Sequence, residues 1–160
     1  MMQAEPIPFN PGTYARDFLQ QLLEAMGFQV EVELAELPDG THLLTVIGPD
    51  APEVIGPEGE TINALQYLVG LVTHRRVGQY VRLIVDAAGF RAERERELVA
   101  LARHYARQVK ESGQECVLDP LNPFERRIVH NALLDDPDVV TYSEGADPDR
   151  SVVISPRQPR

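Results

Sequence analysis

The chain has 160 residues, 43% of them hydrophobic and 25% charged, with a formal net charge of −10. That is the balance of a globular protein of one or two small domains. A single cysteine, Cys116, excludes an intrachain disulfide and a multi-cysteine metal site. No apolar run approaches a membrane span, and the N-terminus lacks the basic-then-apolar pattern of a secretory signal, so the expectation is a cytoplasmic protein that is not membrane-embedded.

In chain order, residues 1–12 hold three prolines and a glycine and read as an extended tail. Tyr14, Phe18, Leu19, Leu22, Leu23 and Met26 recur at helical spacing over 13–26, with Gly27 as a stop. Residues 28–37 alternate, placing Phe28, Val30, Val32 and Leu34 on one face of a strand. Pro38-Asp39-Gly40 is a turn and 41–47 the returning strand. A helical turn over 49–54 leads to Gly56-Pro57-Glu58-Gly59, a G-x-x-G tetrapeptide. A helix over 60–73 follows, with Ile62, Leu65, Leu68, Val69 and Val72 inward, and then a strand over 80–85.

Gly89 closes this first segment. The spacing then predicts a helix over 91–111 with Leu98, Leu101, Ala102, Tyr105 and Val109 as its apolar stripe. A short strand over 115–118 carries Cys116 as a small core residue, and a helix covers 122–134. Asp135-Asp136-Pro137-Asp138 is a turn, read as a solvated loop and not as a cation site. Strands over 139–143 and 151–155 flank a polar hairpin loop at 145–150. The expected fold class is α+β in two parts: a tail over 1–12, domains over 13–90 and 91–156, and a tail over 157–160.

The charge is segregated. Residues 1–74 hold eleven acids and one base, whereas residues 75–110 hold nine bases and four acids. Segregated basic charge is what binds polyanions. Glu93, Glu95 and Glu97 can pair with Arg91 to Arg96 along a helix face, but not with Arg75, Arg76, Arg82, Arg103 or Arg107.

The helix over 122–134 opens Asn-Pro-Phe-Glu-Arg-Arg-Ile-Val-His. Asn122 caps, Pro123 suits the first helical position, and Glu125 completes a capping box. Arg126 and His130 then stand one turn apart on one face, with Arg127 beside them. Arg offers a donor fork to phosphate and His a ring for stacking. A bare R-x-x-x-H is more often part of a solvated amphipathic helix, and a lone G-x-x-G more often a tight connection. In the G-x-x-G loop, glycine lets the backbone approach a ligand, and the helix starting at Glu60 offers N–H groups to a phosphate.

The order helix, strand, strand, turn, G-x-x-G, helix, strand matches a type II KH domain, and 119–131 resembles the core of an R-x-x-x-H domain. Taken together, Ile55 to Gly59, the Ala64-Leu65-Gln66-Tyr67-Leu68 string and 122–130 resemble the Jag family of bacterial RNA-binding proteins, also called KhpB or SpoIIIJ-associated proteins. The resemblance covers 13–155. It implies single-stranded RNA binding, RNA regulation linked to cell-envelope growth, and a small single-KH partner protein; a homodimer is left open. The expected RNA-binding residues are Arg126, Arg127, His130, Gly56, Pro57, Glu58, Gly59, Arg75 and Arg76. Two departures stand out. Family members commonly carry Lys or Arg between the loop glycines, where this chain has Pro57-Glu58. An anion beside phosphate weakens binding and Pro57 removes a donor, so affinity is expected to rest on the Arg126/His130 face. Members also often carry a further N-terminal domain, where this chain has about twelve residues, too few for a core of their own.

The alternative function is a protein-interaction scaffold docked through the acidic first half. No enzyme, cofactor or metal is expected. His42, His74, His104 and His130 lack ligand spacing with each other or with Cys116, and neither a phosphate-binding P-loop nor a nucleophile elbow is present.

Overall fold

An asparagine followed by proline starts a helix twice in this chain. In the computed structural model, which describes residues 8–157, the Asn10 side chain accepts from the Thr13 N–H at 2.9 Å. This caps α1 (Pro11–Ala25). The expected tail is therefore shorter, since Pro11 and Gly12 are already helical; residues 1–7 and 158–160, where the rest of both tails falls, lie outside the described residues. β1 (Glu31–Glu36) pairs antiparallel with β2 (His42–Ile47), setting Val32 opposite Val46 and Leu34 opposite Leu44. β3 (Leu83–Ala87) pairs parallel with β2, and the sheet order is β1-β2-β3. A parallel pair needs a crossover, and α2 (Glu60–Val77) supplies it.

Leu19, Leu23, Leu44, Val46, Ile62, Val69 and Val85 are fully buried between these helices and the sheet. Each such side chain contributes roughly 1.5–3 kcal/mol over leaving it exposed. Leu68, expected inward, is 43% exposed. Helix α2 is apolar on nearly every face, so periodicity does not single out its buried side; Ile62, Leu65, Val69 and Thr73 face the core instead. The helix also runs one turn further than expected, to left-handed Gly78, and β3 begins correspondingly later. Tyr80, expected in the strand, is exposed before it.

The described residues divide into two compact units that meet at Arg91 and Ala92. Arg91 is not one of the solvated helix-face pairs that its sequence neighbours suggest. It donates to the Val85 carbonyl (3.1 Å), Asn63 Oδ1 (2.6 Å) and Gln66 Oε1 (3.1 Å) within the first unit.

In the second unit, α3 (Phe90–Ser112) contributes Leu98, Ala102, Ala106 and Val109 to a separate core, and Leu101, expected in its stripe, is exposed. β4 (Cys116–Val117), β6 (Ser151–Pro156) and β5 (Val139–Glu144) form an antiparallel sheet in the order β4-β6-β5. α4 (Pro123–Leu133) lays Val129 and Leu133 on Val139, Val152 and Ile154. Cys116 packs at the edge of this core, where burial pushes its thiol pKa up. Each unit thus combines helices on one three-stranded sheet, an α+β architecture. No helix among the described residues is long and apolar enough to cross a membrane.

Candidate nucleic-acid interface

The start of α4 is built as its sequence requires. Asn122 Oδ1 accepts from the Glu125 N–H at 2.9 Å, and the Glu125 carboxylate accepts from the Asn122 N–H at 3.4 Å. Glu125 also accepts from Arg94 Nε at 2.8 Å, so the box is tied to α3 within the same unit. This fixes the rotation of α4 and hence where the next residues point.

Arg126 does not present an open fork. It is 8% exposed. Its Nη1 donates to the Leu121 carbonyl (2.6 Å) and to Asp147 Oδ1 (2.7 Å), and its Nη2 to Asp147 Oδ2 (3.4 Å). The expected phosphate-facing guanidinium is therefore corrected: an internal carboxylate and a carbonyl already use its donors. The physical reason lies in the β5–β6 hairpin, whose loop residue Asp147 reaches back over α4. Arg126 ties that hairpin to the helix start.

His130 is half-buried between α4 and β5. Its Nδ1 lies 2.7 Å from Thr141 Oγ1 and its Nε2 3.0 Å from Ser143 Oγ. Each hydroxyl donates or accepts according to which ring nitrogen carries the proton. Burial, and then the Arg126 charge one turn away, hold the imidazole pKa below its ordinary value of 6.5. The ring is neutral at pH 7, so the expected pair of cations on this face reduces to one paired guanidinium and one neutral ring. Arg127, by contrast, is exposed and makes no ion pair or hydrogen bond.

The G-x-x-G loop is a tight connection. Gly56 and Gly59 take φ of 71° and 81°, which an L side chain rarely adopts. A Cβ on Gly56 would collide with Thr61 and one on Gly59 with the Phe90 ring. Pro57 and Glu58 form the exposed tip, and Glu58 itself sits at φ 53°. The expected N–H cradle is largely spent: Gly59 donates to the Gly56 carbonyl at 3.2 Å, Ile62 to the Ile55 carbonyl at 3.1 Å, and Glu60 to that of Pro57. Glu58 and Glu60 add two carboxylates where a phosphate would approach.

Arg75 and Arg76 lie in the last turn of α2, more than 20 Å, at about 1.5 Å per residue, from the loop at its start. Arg76 stacks over the Phe9 ring at 5.2 Å, while Arg75 is exposed without a partner. Nothing brings these two arginines to the G-x-x-G loop. Lys110 bonds Asp136 (2.7 Å) and approaches Asp138 (3.6 Å), so the turn read as solvated is stapled to α3. Among the described residues no group of three His, Cys, Asp or Glu side chains is placed to hold a metal ion.

Sequence reasoning missed Asp147, Thr141 and Ser143. The two hydroxyls are two apart on a strand and so share a face, a signal that was present. Asp147 lies 21 residues from Arg126 in a polar loop, and no local pattern marks it.

Two family models match the chain: "KhpA/KhpB, KH domain" over residues 13–85 and the R-x-x-x-H domain over residues 96–156. Among curated proteins, the chain is similar to RNA-binding protein KhpB of Clostridium symbiosum, with 37% identity over 142 residues, 88% of this chain and 64% of that protein. It is 34% identical to RNA-binding protein KhpB of Bacillus subtilis over 148 residues, 91% of this chain and 71% of that protein. It is 38% identical to RNA-binding protein KhpB of Lactiplantibacillus plantarum over 105 residues, 66% of this chain and 33% of that protein. The chain thus spans between 33% and 71% of the length of these relatives.

Proposed function

The chain belongs to the KhpB family, and from that premise we propose that it binds single-stranded RNA, without catalysing a reaction on it, chiefly through its second unit. The observation that carries this reading is Arg127. It is an exposed guanidinium with no internal partner, on a helix whose orientation is held by a capping box and by the Arg126–Asp147 pair. A preplaced, unpaired fork is a phosphate site. Arg126 and His130 act as positioning residues: one anchors the β5–β6 hairpin, the other packs on β5 and leaves part of its ring open to a base. Arg75 adds a further backbone contact. The G-x-x-G loop contributes little, because Gly59, Glu60 and Ile62 have spent their N–H groups and Glu58 and Glu60 repel phosphate. The family resemblance supports a cytoplasmic RNA regulator linked to envelope growth, with a small single-KH protein or a second copy as partner.

The test is a titration of labelled single-stranded RNA. Arg127→Ala lowers affinity several-fold and reduces the slope of log K against log salt by about 0.7, the value for one phosphate on a single strand. Unchanged affinity and slope would remove α4 from the interface. A second reading, a protein-docking module, is favoured by the exposed apolar strip Tyr67, Leu68 and Leu71 on α2. A partner recovered equally well after RNase treatment would support it, and a partner lost after RNase would count against it.

A further inference from the structure

Most cations of the second unit are already spoken for. Arg94 pairs with Glu97 and Glu125, Arg96 with Glu93, Lys110 with Asp136 and Asp138, and Arg126 with Asp147. Arg150 and Arg157 donate to backbone carbonyls. Among the described residues of this unit, Arg103, Arg107 and Arg127 alone lack an ion pair or hydrogen bond. Arg127 is on α4. Arg103 and Arg107 are on α3, and both line a cleft of about 640 Å³ between α3 and the end of α4.

We propose that this cleft is a second binding site for single-stranded RNA, distinct from the R-x-x-x-H face. The proposal rests on the RNA-binding reading above and extends it. Arg103 and Arg107 are one turn apart on one face of α3. Their Cα atoms are thus about 6 Å apart along the axis, the scale of the step between neighbouring phosphates of an extended strand. Lys110, one turn further, is held by Asp136 on the opposite wall. That ion pair braces the cleft and leaves the two arginines to meet a ligand. The opposite wall carries Asn131 and Asp135. An amide offers both donor and acceptor, and an ionised carboxylate accepts only from base N–H groups. Three bases against two acids line the cleft, so its local charge opposes the −10 of the whole chain. Its volume suits a nucleotide or two and not a duplex. Solvated arginines cost little by themselves. The two that remain unpaired, however, are the two that share a cavity wall with polar groups suited to a base.

The experiment compares full-length wild type with Arg103→Gln/Arg107→Gln, binding labelled single-stranded RNA of about twelve nucleotides over a salt series. The double variant is expected to bind several-fold more weakly, with the salt slope reduced by about 1.4 for two phosphates lost. Arg103→Lys/Arg107→Lys is expected to keep the slope. Asp135→Asn, which removes an unpaired carboxylate from the far wall, is expected to bind more tightly, a gain that misfolding cannot produce. If wild type binds and both the Gln double variant and Asp135→Asn match it, the cleft is not an RNA site and the α4 reading stands. If wild type binds no RNA, both proposals fall together. If the Gln double variant loses a bound protein while RNA affinity is unchanged, the cleft serves a protein and this inference is wrong.

Discussion

Replacing Arg126 with methionine keeps the apolar stem and removes the guanidinium. The structure sets the cost. The guanidinium donates to the Leu121 carbonyl at 2.6 Å, and a hydrogen bond from a charged donor contributes about 1.5–3 kcal/mol. The pair with Asp147 adds less. Asp147 is 57% exposed and returns to water readily, so that pair counts for about 0.5–1 kcal/mol. Together these give about 2–4 kcal/mol, against about 1 kcal/mol or less for Asp147→Asn. Because the chain has two units, a single melting curve does not isolate the effect. Amide exchange of Val152 and Ile154 in β6 does, through the opening free energy of the unit that contains them. About 3 kcal/mol corresponds to exchange roughly two orders of magnitude faster. Arg127→Ala, on an exposed side chain, leaves those rates unchanged. The reasoning is refuted if Arg126→Met retains full protection yet abolishes RNA binding, for then its fork contacts the ligand and not the hairpin.

The remaining predictions address the imidazole and the glycine loop. The His130 pKa is lowered in the folded protein, so protons bind the unfolded chain more readily. Its contribution to stability is complete above the unfolded value near 6.5 and declines as pH falls from there towards the lowered folded value. His130→Gln should flatten β6 exchange protection across that window, and an unaltered pH profile would contradict the burial argument. Gly59→Ala places a methyl group against Phe90 at a left-handed φ and should cost about 2–4 kcal/mol, read as faster exchange in α2. Phe90→Ala in the same chain should recover part of it, and wild-type exchange in the single variant would remove the packing explanation for this glycine. Glu58→Lys reverses a charge at the loop tip, where an opposite-charge contact contributes about 1–4 kcal/mol. RNA affinity should rise if phosphate passes the loop, whereas no change would place the strand wholly elsewhere.

The legible parts are those written in local chemistry. Asn122, Pro123 and Glu125 announce the start of α4 and form the box they imply. The same signal at Asn10-Pro11 is readable too, but is masked by the proline-rich stretch around it. The alternation of Val32 and Leu34 carries through to the sheet register. What is not legible depends on distant partners. Leu68 points outward because α2 is apolar all round, so which side is buried is settled by α1 and the sheet and not by spacing. The role of Arg126 is set by a hairpin loop 21 residues away and by one backbone carbonyl. Arg75 and Arg107 look alike in sequence as unpaired bases. Only the fold sets Arg107 beside a cleft and leaves Arg75 at a helix end.

The most direct test of where RNA meets the chain is ultraviolet crosslinking of the full-length protein to single-stranded RNA, with crosslinked peptides located by mass spectrometry. The account predicts nucleotide attached to peptides spanning 103–107 and 127–131, with little on 56–59. Crosslinks confined to the G-x-x-G loop, or absent from the second unit, would contradict it.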